Sequence, residues 1–259
     1  MIPKIIHYIW LGSEPIPTEM LECMNSWKMY MPDYELKCWN DDSIIEIDCD
    51  FVKEALQERK FAFASDVIRL YAVYKYGGIY MDTDVVVYKS FTPLLVNHAF
   101  IGRENSMHQI AHTMEVYLTT CCFGAEKENA FIKRCLDYYV GRHFITSPDR
   151  SLPSCLRLNL TINSFIFAVL AKEIGFNSSV LADTVQQCKE DVLTIYPQRY
   201  FDSTIITSDT YTKHLALGTW RGESPKVYIY NWKYKIEWRV RAIVSKILRM
   251  CNYVMLKLE

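Results

Sequence analysis

The chain has 259 residues and a formal net charge of −1, which suits one α/β domain with a small appendage and argues against a nucleic-acid binder. Half of its residues are hydrophobic, enough for a sizeable core. The charge is uneven: residues 225–259 hold eight Lys and Arg against two acids, a net of +6 that leaves −7 on residues 1–224, so we expect a domain over 1–224 and a separate basic tail over 225–259.

Nine cysteines is an odd number, and no CxxC or alternating Cys/His pattern occurs. Reduced, mostly buried thiols in a cytosol-like compartment are expected. The opening stretch MIPKIIHYIWLG lacks a signal-peptide layout and is too short to span a bilayer.

In chain order, Ile2–Leu11 reads as a first strand, expected to be central in its sheet, with His7 a structural histidine and Trp10 at the strand's C-terminal end, where open α/β sheets bind ligands. Thr18–Met31 reads as a helix whose apolar stripe is Met20, Leu21, Met24, Trp27 and Met31. Tyr34–Trp39 is a strand, and Asn40 to Ser43 a turn. Asn40 either contacts a ligand beyond the strand end or caps the turn. Phe51–Lys60 is a short charged helix.

The richest segment runs from 61 to 88. From Ala64 to Tyr76, apolar Val67, Ile68, Tyr71 and Tyr74 recur at helical spacing, with Ser65 or Asp66 as N-cap and Gly77-Gly78 as a stop. Ile79–Tyr88, rich in β-branched and aromatic residues, reads as a strand. Asp82 and Asp84 stand two apart on it, leaning to the same side. Two ionised carboxylates side by side call for a cation or a shared proton. A hard divalent ion that also holds phosphate oxygens is the simplest answer. Upstream, Asp66 and Arg69 share one helical face with Ser65, and in so apolar a helix the pair is expected to be half buried.

Further on, Ala99–Gly102 is a strand and 103–112 a polar loop of the kind that meets acceptors. Tyr117–Phe123 is a strand, Lys127–Val140 a helix, Gly141–Leu160 a long irregular loop, Thr161–Gly175 a helix and Val192–Tyr196 a strand. Tyr211 to Trp220 carries His214 and a Thr219-Trp220 pair.

The string Ser65, Asp66, Arg69, Gly77, Gly78, Tyr80, Asp82, Asp84 resembles the sugar-binding region of glycosyltransferase family 32, which includes yeast-type α-mannosyltransferases and shares its core with clostridial toxin glucosyltransferases. The opening Pro-Lys-Ile-Ile-His-x-Ile-Trp-x-Gly is similar too. The resemblance implies a GT-A type α/β fold, with a mixed open sheet flanked by helices. It implies retaining transfer of a hexose from a UDP- or GDP-linked sugar to a glycan or lipid-linked acceptor. Asp84 would hold Mn²⁺ or Mg²⁺ with Asp82 and His214 nearby, or Asp82 would hold ribose or sugar hydroxyls. Asp66 and Arg69 would grip the sugar, Ser65 and Tyr80 line the pocket, and Ile9, Trp10, Asn40, Thr219 and Trp220 contact the nucleotide-sugar, with Trp10 stacking on the base. The family carries two histidines and a Ser-Trp where this chain has His214-Leu215 and Thr219-Trp220. That departure keeps open an inactive carbohydrate-binding protein. Asp82-x-Asp84 also looks like the motif of haloacid-dehalogenase-type phosphohydrolases, although no downstream acidic metal motif accompanies it.

The tail places Lys235, Arg239, Ala242, Lys246 and Arg249 on one helical stripe and Ile236, Val240, Ile243, Val244, Ile247, Met250 and Val254 on another. Two readings stand: a helix lying on an anionic bilayer, or a closing helix packed on the domain. With the first, the resemblance implies a cytoplasmic enzyme peripheral to the inner face of the plasma membrane, in bacterial surface polysaccharide synthesis.

Overall fold

The computed structural model describes residues 1–110, 113–189, 192–218 and 247. The expected boundary at 224/225, the tail helix, Thr219 and Trp220 lie outside the described residues.

The elements run β1 (Ile5–Ile9), α1 (Thr18–Tyr30), β2 (Glu35–Trp39), α2 (Asp50–Gln57), α3 (Phe61–Tyr76), β3 (Gly78–Met81), β4 (Val85–Val87), β5 (Ala99–Ile110), β6 (Thr113–Ala125), α4 (Ala130–Asp137), α5 (Ser154–Arg157), α6 (Asn163–Lys172), β7 (Gln186–Cys188), β8 (Leu193–Tyr196), α7 (Gln198–Phe201) and β9 (Thr212–His214). Among the described residues, one mixed sheet has the order β2-β1-β3-β6-β5-β8-β7, and β4 and β9 form a second, two-stranded sheet. The expected mixed α/β architecture is the observed one.

Successive residues of the large sheet feed opposite cores. Tyr80, Ile101 and Phe123 join residues of α2, α3, α4 and α6 on one face. Ile79, Met81, Phe100 and Cys122 join Trp27 of α1, Phe201 of α7 and Val85 and Val87 of β4 on the other.

Several expectations need correction. β1 is not central: it lies one strand in from the edge, parallel to both β2 and β3. Leu21 is exposed and leaves the α1 stripe, whose buried side is Met20, Cys23, Met24 and Trp27. The polar stretch 103–110 is not a loop but the outer half of β5, pairing with β6 across a shift in register between Arg103 and Met107. Its residues are largely wet, so it lacks the apolar alternation that marks a half-buried strand.

The turn between α3 and β3 shows why two glycines follow Tyr76. Gly77 at φ 68° closes the helix, its N–H donating to Val73 O at 2.8 Å. Gly78 sits at φ 109°, where an added Cβ would lie 2.7 Å from Ile5 O and 3.2 Å from His7 Nε2. The His7 ring is fully buried, donates from Nε2 to Gly77 O at 2.8 Å and accepts Trp39 Nε1–H at Nδ1, 3.1 Å. Burial pushes it down to about 4, so it stays neutral in this role. Strand β1 is thereby tied to the turn that launches the acidic motif. Gly78→Ala should cost about 2–4 kcal/mol, combining positive-φ strain with a backbone clash. A urea-denaturation midpoint equal to that of the wild type would contradict this.

Candidate active site

Asp82 follows β3 directly, and the chain then leaves the large sheet. The expected single strand Ile79–Tyr88 is broken at Asp82-Thr83-Asp84, and β4 pairs antiparallel with β9. The break occurs because Asp82 N–H still donates to Cys121 O of β6 at 2.8 Å, whereas Val85 N–H turns back to Asp82 O at 3.1 Å. The two carboxylates therefore converge through a turn rather than through strand alternation.

The β4–β9 pairing puts Val85 opposite His214. Asp84 Oδ1 lies 3.2 Å from His214 Nε2, and Asp84 Oδ2 accepts Leu217 N–H at 3.0 Å. Burial would raise the Asp84 carboxyl, but these partners hold it below the usual carboxylate range. Burial likewise opposes charge on His214, yet its contacts with Cys121 and Asp84 raise it above the ordinary imidazole range. Burial also pushes the Cys121 thiol up. Asp82, Asp84 and His214 each offer a ligand atom, all within 4.8 Å of one another. Two carboxylates and an imidazole so close suit a hard divalent ion such as Mn²⁺ or Mg²⁺.

Beside this group lies the Asp66–Arg69 pair, more deeply set than expected. Ser65 and Asp66 do not cap α3, which begins four residues earlier with Lys60 at its N-cap position. They lie within the helix, where the Arg69 guanidinium reaches back over them. It donates to Ser65 O, Ser65 Oγ and Thr120 O at 3.1, 2.9 and 2.8 Å. It also pairs with Asp66 at 3.2 Å and Asp82 at 3.5 Å, and stands 4.5 Å from the Tyr80 ring centre. Tyr80 O–H donates to Asp82 Oδ1 at 2.6 Å. Arg69 thus joins the helix motif to the acidic motif in one network.

Burial pushes the Asp66 carboxyl up to about 7, with Arg69 opposing and Asp82 adding to the rise. A carboxyl raised on folding binds more protons in the native state than in the unfolded one, so stability falls as pH rises from about 4 to about 7. Asp66→Asn lacks this penalty. Its stability relative to the wild type should grow over that interval and level off above it; urea midpoints that shift equally for both proteins would refute this.

The nucleotide-facing expectations are placed as follows. Ile9 ends β1, half buried, and Trp10 is half exposed with Nε1–H donating to Glu14 O at 2.7 Å. Asn40 is exposed and caps its turn, Oδ1 accepting Ser43 N–H at 3.0 Å. Two site residues escaped sequence reasoning. Asn163 opens α6, fully buried, its Nδ2 donating to Asp66 O at 3.1 Å while Oδ1 has no hydrogen-bond partner among the described residues. An Asn at the head of an otherwise apolar helix was the available signal. Asp202, just after α7, lines a cavity of about 470 Å³ beside Asp82 and His214, and no local pattern marks it.

Residues 17–101 match the family model described as "Glycosyltransferase sugar-binding region containing DXD motif". Inositol phosphoceramide mannosyltransferase 3 of Schizosaccharomyces pombe is 38% identical over 106 residues, 39% of this chain and 30% of the relative. Mannosyl phosphorylinositol ceramide synthase SUR1 of Saccharomyces cerevisiae is 30% identical over 115 residues, 41% of this chain and 29% of the relative. The chain thus spans about a third of the length of these relatives. Among solved structures, the PaToxG glycosyltransferase aligns with a TM-score of 0.48 at 19% identity, covering 66% of this chain and 69% of that one.

Proposed function

We propose that this chain, whose residues 17–101 are a glycosyltransferase sugar-binding region with a DXD motif, is a GT-A type enzyme that moves a hexose from a nucleoside-diphosphate sugar to a glycan or glycolipid hydroxyl. The observation that carries the reading is the convergence of Asp82, Asp84 and His214 beside the buried Asp66–Arg69 pair.

The chain's own residues divide the work. Leu217 N–H and His214 hold the Asp84 carboxylate in place, and Tyr80 O–H orients Asp82. His214 would yield its proton when these three residues hold Mn²⁺ or Mg²⁺. Such an ion supplies Lewis-acid stabilisation of the charge that builds on a departing diphosphate. Arg69, fixed at Ser65 and Thr120, and Asp66 offer a donor and an acceptor to sugar hydroxyls. Asn163 adds an amide oxygen that lacks a hydrogen-bond partner among the described residues. Trp10 presents a half-exposed ring for the nucleotide base at the end of β1. Retention of anomeric configuration follows from the family resemblance.

Mannose is the first hexose to test, because the fungal relatives with the matched region are mannosyltransferases acting on inositol phosphoceramide. The curated relatives named above are fungal, which favours a lipid-borne polyol acceptor over the bacterial polysaccharide setting. We place the enzyme in a reducing, cytosol-like compartment, a reading supported by the free state of all eight described cysteines.

The test is incubation with GDP-mannose, UDP-glucose and UDP-galactose in Mn²⁺. Slow release of the nucleoside diphosphate from one of them, stopped by chelator, is expected. Turnover of none, with phosphate released from simple phosphomonoesters, would favour the phosphohydrolase instead. Binding of one nucleotide-sugar without turnover would favour the inactive protein.

A further inference from the structure

The cavity beside the metal-ligand candidates has a second wall that the donor reading leaves unused. It is built from the outer half of β5, the end of α7 and β9. The shift in register between Arg103 and Met107 takes Glu104, Asn105 and Ser106 out of the β5–β6 ladder, and all three line the cavity. A bulge beside an active site commonly serves to re-aim side chains in this way. Across from them stands Asp202. Its Oδ2 accepts Asn105 N–H at 2.8 Å, and the Asn105 side chain is held in turn by Gln198 Nε2 at 2.6 Å. Asp202 Oδ1 has no hydrogen-bond or ion-pair partner among the described residues.

We infer that this wall is the acceptor subsite, and that Asp202 binds a hydroxyl of a neutral polyhydroxylated ring, a sugar or a cyclitol, opposite Asp82 and His214. The inference rests on the transferase reading. Its chemistry follows from the lining. A fixed carboxylate oxygen needs a donor, and the hydroxyl of Ser106, which lines the same wall, can pair with either a donor or an acceptor. Hydroxyl groups supply both. Three carboxylates, Asp82, Glu104 and Asp202, line the cavity against Lys213 and His214, a balance that disfavours an anionic ligand at this wall. In the transfer, the acceptor oxygen forms a bond to the anomeric carbon. The bond from that carbon to the diphosphate oxygen breaks with its electron pair, and the acceptor proton leaves on the diphosphate. Asp202 keeps its charge throughout and orients the ring.

The test uses the full chain with myo-inositol, methyl α-mannoside, methyl β-glucoside and octyl β-glucoside as probes. At least one should speed release of nucleotide from the donor above its hydrolysis in water. A larger increment with the octyl than with the methyl glucoside assigns a lipid-borne headgroup, and equal increments assign a free glycan. Asp202→Asn keeps an oxygen for Asn105 N–H but loses the charge. It should raise the half-saturating probe concentration about 10- to 100-fold, as for loss of a charged hydrogen bond, without a matching rise for the donor. Independently of turnover, the Asn105 amide resonance should shift on adding the active probe in the wild type and stay fixed in Asp202→Asn. No donor turnover with an Asn105 shift would sink the transferase reading, and the acceptor role with it, leaving a polyol-binding wall. The subsite is overturned if no probe shifts Asn105, or if Asp202→Asn responds to the probes like the wild type.

Discussion

Asp84→Ala should lower metal-dependent turnover on the order of 10³-fold or more, since it removes a carboxylate from the cation site and with it several kcal/mol of charge stabilisation. It should also destabilise the fold. An exposed carboxylate relieved of a like-charged neighbour is almost free to remove, but Asp84 is not such a group. In the structure it is buried, and its loss strips the partner from both His214 and Leu217 N–H. About 1–3 kcal/mol is the corresponding cost of unpaired buried groups. Calorimetric titration with Mn²⁺ alone separates the two effects, because a folded variant with unchanged Mn²⁺ affinity would remove Asp84 from the ligand set.

The second large effect is expected at Arg69. Arg69→Ala leaves Asp66 and Asp82 without their shared cation in a buried setting and frees Thr120 O and Ser65. Breaking such a network by removing one member costs about 3–5 kcal/mol. Transfer should fall in step, because in the proposed function the same side chain meets the sugar while it braces Asp82. Arg69→Lys keeps the charge but cannot span Ser65, Thr120 and both carboxylates at once, so it should recover part of the stability and little of the activity. If Arg69→Ala unfolds at the wild-type urea concentration, the network is not what holds α3 to β3. Equal losses of nucleotide affinity and of transfer would instead assign Arg69 to the phosphates.

Residues 61–84 were the legible part of the sequence because several independent signals coincide there. An apolar helical period, a double-glycine stop and a β-rich run each constrain the chain locally, and the site residues fall at fixed offsets within them. The strand break at Asp82 was illegible, since nothing in Val85-Val86-Val87 distinguishes a strand of the large sheet from one pairing with β9. Residues 103–110 were hidden for a different reason. Their strand is held by pairing with β6 rather than by a buried face, so its apolar residues, Met107 and Ile110, follow no alternation with the polar ones. His214 stood out only through its family context, because a short polar strand such as Thr212–His214 has no periodicity to read. Asp202 and Asn163 matter through neighbours some hundred residues away in sequence, and a one-dimensional pattern carries no trace of such meetings.

The pairing of β4 with β9 has a consequence for how the protein is made. Asp82 and Asp84 leave the ribosome on the order of ten seconds before His214 does, at ordinary elongation rates. The sheet strands β1, β2, β3, β6 and β5 all precede β8 and β9 and can pair meanwhile. During that interval the nascent chain holds two converging carboxylates without the imidazole and Leu217 N–H that complete their surroundings. A prematurely terminated product ending before Thr212 would carry the whole sugar-binding motif yet lack the strand that closes the site. Translation order thus leaves β9, made after every strand of the large sheet, to complete the surroundings of Asp84.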